Sequence, residues 1–475
     1  RRTGPVHRRR AVADILTRPM SPDLPLVRVV VLNFDGGDMT LDCLDSLLAT
    51  DWPSDRLEIV MVDNASLDDV VERVATDERY RSVRVLEPLA NLGFAGGCNL
   101  GIGVTGDHDY VALLNNDATI APDWLRAMVP VAESDDAIGA VAAKMLFASR
   151  FHGIEFEVPD ASHIVQGEQR LLGVRVSGVR IDGERVDDRL AFDEGFHGVE
   201  PPQLRDGEEI ARWSSASAAL RVAADGSEPT TISVRLSCLE PRAFTLRSAI
   251  DTVTGTVGAE AQWFDVRIPA EPFDVINNAG SNLFAGGFAG DRGFLEVDEG
   301  QYDEPAEVFA WCGGAVLLKR AYLDDVGTFD ERFFVYYEDT DLSWRGRLRG
   351  WRYVYEPGAL VRHHHAQSSV VGSEVFRFHT ERNRLLLLAR NAPAAMAWRS
   401  GLGEVRRVVT ATIRHYVLRP LTLRLPARAE VGHRWKVCGS YLRLLPTTLR
   451  DRWMTQRSVA REAVMEWEVV KWPTV

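Results

Sequence analysis

Four short stretches of this 475-residue chain hold side chains suited to binding charge or moving protons. "NND", Asn115 to Asp117, closes the apolar run "YVALL" with two amides and one carboxylate. One carboxylate oxygen suffices for Mg²⁺ when substrate phosphates and water fill the remaining positions. A turn closed by amides is the plain alternative. "YYEDTDLSWRGRLRGW" packs Glu338, Asp339 and Asp341 into four residues, and a positioned carboxylate can take a proton from an alcohol. Their repulsion raises at least one pKa, while a helix starting there pulls the other way. The residues alone leave the net direction open, and capping with pairing to Arg345 and Arg347 is the alternative. "VRHHHAQSS" holds three consecutive histidines. On an extended segment His363 and His365 share a face, and an imidazole can join a metal shell. "VDNAS" ends an apolar run on Asp63 and Asn64. A carboxylate there can accept a pyrimidine N–H, or it can simply cap a helix.

Two glycine-rich stretches also matter. In "NLGFAGGCNLGI", Asn91 follows a strand, and Gly93, Gly96 and Gly97 leave the backbone free to approach a ligand. A helix opening near Ala95 would offer free N–H groups to phosphate. "GIGVTG", 101–106, fits a dinucleotide fingerprint in letters only. A helical pattern precedes it and a strand follows, the reverse of what that fingerprint needs.

The elements that must position these residues follow an alternating rhythm. "VRVVVLNF", "LEIVMVDNAS", "VRVLEP" and "YVALLNND" read as strands, with "MTLDCLDSLLAT" and "DDVVERVATD" as helices between them. That rhythm predicts an α/β fold with a mostly parallel sheet flanked by helices, whose ligands lie at the strands' carboxyl ends. Asn33, Asp63 and Asn115 to Asp117 all fall there. Residues 151–275 read as a β-rich, sandwich-like insertion, with a hairpin turn at Asp182-Gly183. Residues 276–305 are rich in Gly, Asn and Asp and read as loops. The expected division is a basic tail over 1–26, a first sheet half over 27–150, the insertion over 151–275, a second half over 276–372, and basic amphipathic helices over 373–475.

The formal charge of −13 excludes a general nucleic-acid binder, but it hides an asymmetry. Phe376 to Arg461 carries eighteen Lys/Arg against four Asp/Glu. Arg, Trp and Leu mixed on such helices suit an anionic membrane surface; ordinary packing or a homo-oligomer interface is the alternative. The five cysteines lack any C-x-x-C spacing, which suits a reducing compartment and no structural zinc. No apolar run of membrane-spanning length is visible. Trp213 and Trp263 in the insertion could stack on sugars but are expected in its core.

The order and spacing of "VVVLNFDG", "VDNAS", "NLGFAGGCNLGI", "NND", "GGAVLLKRAYLDDVGTFDERFFVYYEDTDLSWRGRLRGW" and "PGALVRHHHAQSS" resemble the family-two inverting glycosyltransferases of GT-A fold, in their rhamnosyltransferase-like branch of bacterial cell-envelope synthesis. The likeness covers about 27–147 and 305–370. It implies that a hydroxyl of a cell-envelope glycan or lipid-linked acceptor attacks the anomeric carbon of a UDP- or dTDP-sugar, of rhamnose or galactofuranose type. It implies Asp339 as base, beside Glu338 and with Asp341 as fallback. Asp117 would hold a divalent Mg or Mn ion with His363 or, alternatively, His365, although "NND" stands where many members carry D-x-D. Asp63 would contact the pyrimidine, with Asn33 nearby. Asn64, Asn91, Gly93, Gly96, Asn99, Asn115 and Asn116 complete the implied donor site. Trp311, Gly313 and Gly314 fall at sugar and acceptor contacts. The enzyme would work in the cytoplasm, peripheral on the inner face of the plasma membrane. Two other readings are a non-catalytic relative that binds nucleotide sugar or glycan, and a sugar-1-phosphate nucleotidyltransferase. The latter needs a basic residue in the loop after its first strand, and "LNFDGGDMT" has none.

Overall fold

The computed structural model describes residues 24–162, 170–186, 190–192, 195–197, 211–224, 230–364, 373–418 and 428–469. The chain forms two compact units. The first comprises residues up to 148, 276–294 and 299–472; the second comprises 149–275, 295–298 and the last three residues.

The first unit opens with β1 (Val27–Asn33), α1 (Asp38–Leu48), β2 (Leu57–Asp63), α2 (Val70–Thr76), β3 (Val83–Leu86) and α3 (Gly93–Ile102). It continues through β4 (Tyr110–Asn115), β5 (Ala118–Ile120), α4 (Trp124–Glu133) and β6 (Ile138–Phe147). After the second unit come β7 (Ile276–Asn278), β8 (Ser281–Phe284), β9 (Phe288–Asp291), β10 (Ala306–Glu307), β11 (Ala315–Lys319) and α5 (Arg320–Val326). Last are α6 (Glu338–Arg349), β12 (Arg352–His363), α7 (Glu374–Asn391), α8 (Ala394–Ile413) and α9 (Arg428–Met454). The central sheet runs β10-β12-β6-β11-β4-β1-β2-β3, with β7 on β6 and β5 on β12. The β1–β2, β1–β4, β2–β3 and β6–β12 pairings are parallel; β11 runs antiparallel to both its neighbours.

Both faces of this sheet are covered, which is why its strands read as unbroken apolar runs. Val27, Val29 and Val31 point to one face, where they pack with Leu41, Leu44, Trp124 and Met128. Val30 points to the other, with Ala95, Cys98 and Ile102 of α3. Helix α3 lies so close that a Cβ on Gly97 would stand 2.3 Å from Leu32 Cδ1. That glycine serves packing and not ligand approach, and Gly101 of "GIGVTG" lies within the same buried helix.

Residues 276–305 differ from the loop expectation, because they carry β7, β8 and β9. Glycine and asparagine hide short strands: Ile276 of β7 pairs with distant Leu146, and β8 and β9 form a hairpin.

The second unit is a sandwich of two antiparallel sheets. One contains strands 151–157, 217–223, 242–247 and 252–257, and the other 175–181, 231–237 and 262–267. Phe156, Leu220 and Leu246 from the first meet Val176, Val234 and Val266 from the second in one core. Asp182 and Gly183 both have positive φ, +45° and +93°, as a two-residue primed turn requires. Trp213 is buried there. Trp263 carries the Arg180 guanidinium 4.0 Å over its ring.

The C-terminal helices are not an appendage. Leu385 to Leu388 of α7 and Val437 and Tyr441 of α9 share a core with Phe309, Phe333, Trp344 and Leu348. Part of the basic charge is also internal. Arg452 and Arg461 donate to the carbonyls of residues 389–392 at the end of α7, where helix carbonyls lack intrahelical partners. Among the described residues no helix is long and apolar enough to cross a membrane. All five cysteines are free.

Candidate active site

The carboxyl ends of β1, β2 and β4 bring the first polar group together. Asn33 lies opposite Asp63 and Leu32 opposite Asn115 in the parallel register. Asn33 Nδ2 donates to Asp63 Oδ1 at 2.8 Å, and its Oδ1 accepts from Asn116 Nδ2 at 3.0 Å and from Thr40. Ser66 N–H reaches Asp63 Oδ2 at 3.2 Å. The side chains of Asn33, Asp63 and Asn116 therefore form one ordered polar edge.

Asp117 and His363 are 246 residues apart in the chain, yet adjacent in space. Strand β5 pairs antiparallel with the end of β12, setting His363 against Ala118. His363 Nε2 is 3.0 Å from Asp117 Oδ1 and 3.2 Å from Asn115 Nδ2. Its Nδ1 meets Asn277 Oδ1 at 3.0 Å. With Nδ1–H donated to that carbonyl, the protonated ring also donates Nε2–H to Asp117, and the neutral ring turns its Nε2 lone pair to the same side. Burial pushes the Asp117 carboxyl up, but the hydrogen bond and charge of His363 outweigh it and hold the group below its usual range. One imidazole nitrogen and one carboxylate oxygen aimed at a common point fit a divalent cation with diphosphate and water as its other ligands. Among the described residues no cluster of three or more metal-ligating side chains exists, so any ion here needs those outside ligands. His365 lies outside the described residues.

The carboxylates of α6 divide by role. Asp339 Oδ2 accepts the Gly313 N–H at 3.1 Å, and its Oδ1 accepts the N–H and hydroxyl of Thr340. Burial raises its pKa, with those donors pulling part of the way back. Glu338 is pushed well up, first by burial and then by the Asp339 charge. Asp341 differs from its expected fallback role. It is wholly buried, paired with Arg345 at 2.8 Å and Arg390 at 3.1 Å, and bonded by Asn391 Nδ2 at 2.7 Å. A carboxylate locked between two cations neither reaches a substrate nor takes its proton.

A cavity of about 910 Å³ joins these groups. Asn115, Asp117, His363, Asn277, Asp291, Gly313, Gly314, Glu338 and Asp339 line it. Asn277 and Asp291 escaped the sequence reading because they lie on β7 and β9, in the segment taken for loops. Burial first raises the Asp291 carboxyl, the Asn278 hydrogen bond opposes this, and the Asp339 charge adds to it; the result is about 6.

Other expected donor residues make contacts within the fold. Asn64 Nδ2 donates to Asn91 Oδ1 at 2.9 Å and to Gly93 O at 3.2 Å. Gly93 has φ of +71°, and a Cβ there would meet Phe334 at 2.5 Å. Gly96 packs on Leu92. The amides expected to be open to phosphate are partly taken: Gly93 N–H bonds Asn91 Oδ1, and Ala95 N–H bonds Phe334 O. Asn99 ties the chain at Phe329 and Glu331. Trp311 is fully buried in the core against Phe329 and does not line the cavity, whereas its neighbours Gly313 and Gly314 do.

The loop ahead of Asp339 is strained. Phe334, Tyr336 and Tyr337 all have φ between 66° and 70°, a region costly for bulky residues. Fully buried Asn383 of α7 holds it, donating from Nδ2 to the carbonyls of Phe333, Val335 and Tyr336 at 2.7–2.8 Å. No sequence motif marks this clamp, since its acceptors are backbone atoms.

Residues 28–153 match the family model described as Glycosyl transferase family 2, so the chain carries a domain of that family. N-acetylglucosaminyl-diphospho-decaprenol L-rhamnosyltransferase of Mycobacterium tuberculosis is 47% identical over 68 residues, 14% of this chain and 22% of that protein. Succinoglycan biosynthesis protein ExoO of Rhizobium meliloti is 34% identical over 125 residues, 26% of this chain and 34% of ExoO. The matches thus span a minor part of either relative. Among solved structures, GalNAc-T7 with UDP, GalNAc and Mn²⁺ aligns at 12% identity and TM-score 0.40, over 77% of this chain and 49% of that one. The mannosyltransferase PcManGT from Pyrobaculum calidifontis in complex with GDP-Man and Mn²⁺ aligns at 14% identity and TM-score 0.37, over 95% of each chain.

Proposed function

We propose that the chain is an inverting GT-A-type glycosyltransferase that moves a sugar from a UDP- or dTDP-sugar to a hydroxyl of a cell-envelope glycan or lipid-linked acceptor. The observation that carries this is the joint lining of one cavity by Asp339, a carboxylate raised by burial, and by the Asp117–His363 pair. Asp339 takes the acceptor hydroxyl proton while that oxygen attacks the anomeric carbon. The bond from that carbon to the diphosphate oxygen breaks in the same displacement, so configuration inverts. A raised pKa suits this task, because a base works best when its conjugate acid is not too strong. Asp63, oriented by Asn33, takes the N3–H of the pyrimidine. Asp117 and His363 would hold Mg or Mn, whose charge would offset that developing on the leaving diphosphate. The envelope context draws on the relatives, one a rhamnosyltransferase and one a succinoglycan biosynthesis protein.

Thermal unfolding with a panel of nucleotide sugars tests the donor reading, since a ligand bound to the native state stabilises it by about 2.7 kcal/mol at a hundred times its Kd. Pyrimidine diphosphate sugars with Mg²⁺ or Mn²⁺ should raise the midpoint. A midpoint that no pyrimidine nucleotide sugar moves refutes the reading.

The same proposal places the enzyme on the inner face of the plasma membrane. Trp398, Leu402, Val405, Val409 and Ile413 lie at helical spacing along α8, each between 36% and 63% exposed, with Arg399 and Arg406 among them. Such a stripe suits insertion into an anionic interface. Full-length protein should sediment with phosphatidylglycerol vesicles, and Leu402→Glu with Val409→Glu should release it. Equal sedimentation of the variant rejects the docking. Deleting 373–475 is no test, because it removes the Asn383 clamp.

A further inference from the structure

The cavity is lined by acidic and basic groups from different elements. Asp117, Asp291, Glu338 and Asp339 occupy the end formed by strand termini and the start of α6. The other end is walled by the C-terminal helices, which contribute Arg384 from α7, Arg407 from α8 and Arg434 from α9, with Glu381 and Glu404. The guanidiniums are only partly satisfied by acids. Arg384 stacks 3.9 Å over the Phe288 ring and donates to Gly286 O at 3.3 Å. Arg407 reaches Glu404 Oε2 at 3.3 Å, and Arg434 reaches Glu430 Oε1 at 2.8 Å. Glu381 is engaged by His433 at 3.3 Å.

Resting on the transferase reading, we propose that this helical end is a separate anion subsite, in which Arg384, Arg407 and Arg434 bind a phosphate or diphosphate on the acceptor. A phosphate is drawn to guanidiniums by their charge and by their paired N–H donors. Arg384 supports this. Burial lowers its pKa, the Tyr337 hydroxyl partly opposes, and the Arg407 charge lowers it further, ahead of the opposing effect of Glu404. The Arg407 charge is felt at Arg384 despite its pairing with Glu404, and an anion between the two guanidiniums would lower their mutual repulsion. Tyr337 lies two residues before Asp339, so the subsite adjoins the base. Helix α8 gives the acceptor its class. Glu404 and Val408 are buried on one face while Trp398, Leu402, Val405 and Val409 are exposed on the other. A phosphate headgroup in the cavity with a lipid chain in the bilayer satisfies both faces.

Calorimetric titration of the full chain distinguishes the sources of the anion. The probes are geranyl diphosphate, inorganic pyrophosphate and UDP, with geraniol as the uncharged control. Geranyl diphosphate should bind with UDP already saturating, and Arg407→Gln with Arg434→Gln should weaken it at least tenfold while shifting UDP affinity less than twofold. Arg407→Gln alone, at a mostly exposed side chain paired with buried Glu404, should give a smaller loss, and its unfolding midpoint separates lost anion contact from the loss of that pair. Pyrophosphate showing the same arginine dependence also supports the subsite and makes the phosphate its main determinant. The proposal is overturned if geranyl diphosphate binding survives the double substitution, or if it requires an empty nucleotide site. It is equally overturned if UDP affinity falls in parallel, since the arginines then serve the donor. Whether the chain transfers sugar at all is read separately, by donor turnover, so the two ideas fail independently.

Discussion

Asp339→Asn should lower sugar transfer by about 10²–10⁴-fold, the usual worth of a positioned general base, while nucleotide affinity measured by calorimetry stays within a few-fold. The amide keeps the size of the side chain and one acceptor oxygen for the Gly313 N–H, while its Nδ2 replaces the oxygen facing Thr340 and a buried charge is shed, so the lost step is proton removal. Full turnover in this variant sinks the assignment. The pH profile gives a second reading. The group must be deprotonated to act, and its pKa is raised by burial, so activity should fall as pH drops through a value above the ordinary aspartate range. Glu338, Asp291, Tyr337 and Cys312 all interact with it electrostatically, so the acid limb belongs to the group as a whole. Asp341 is the informative contrast. Its loss takes the carboxylate from Arg345 and leaves Arg390 with Asp330 alone, and breaking such a buried pair costs about 3–5 kcal/mol of stability. Inactivity of an Asp341 variant would therefore come with a lowered unfolding midpoint, which Asp339→Asn should not show.

Asp117→Ala should remove the response to added Mg²⁺ or Mn²⁺ and most of the turnover. Stabilising charge on a leaving diphosphate is worth several kcal/mol, or about 10²-fold and more in rate. Binding of Mn²⁺ in the presence of UDP, followed by electron paramagnetic resonance, should weaken in step, a readout independent of catalysis. Asp117 is the only carboxylate of "NND", and the His363 imidazole beside it cannot supply a carboxylate oxygen, so His363 does not replace it. Unchanged wild-type turnover in the presence of chelator, or full turnover in the variant, rules out the metal reading.

Much of this site was legible before any coordinates because local chemistry leaves local marks. Apolar runs ending in Asn33, Asp63 and Asn115 to Asp117 mark strands whose polar ends face one edge, and a parallel sheet collects such ends in register. The Asp182-Gly183 turn is equally local, because few residue pairs accept positive φ in succession. The segment 276–305 failed for the converse reason. Its strands are short, their residues are poor strand formers, and only pairing with β6 and with one another makes them strands.

Sequence alone determined which residues could do chemistry and the order in which strands present them, since both follow from side-chain type and from periods of two and 3.6. Tertiary structure decided which of them act together. Asp339 and Asp341 are two positions apart on a helix and so point to nearly opposite sides; packing of Arg345 and Arg390 made one a structural ion and left the other facing the cavity. His363 met Asp117 only through antiparallel pairing of β5 with β12. Asn383 reached the strained loop before Asp339 only because α7 docks there. Each of these depends on contacts between residues far apart in the chain, and such contacts are set by the burial of distant apolar faces, which no single stretch of sequence records.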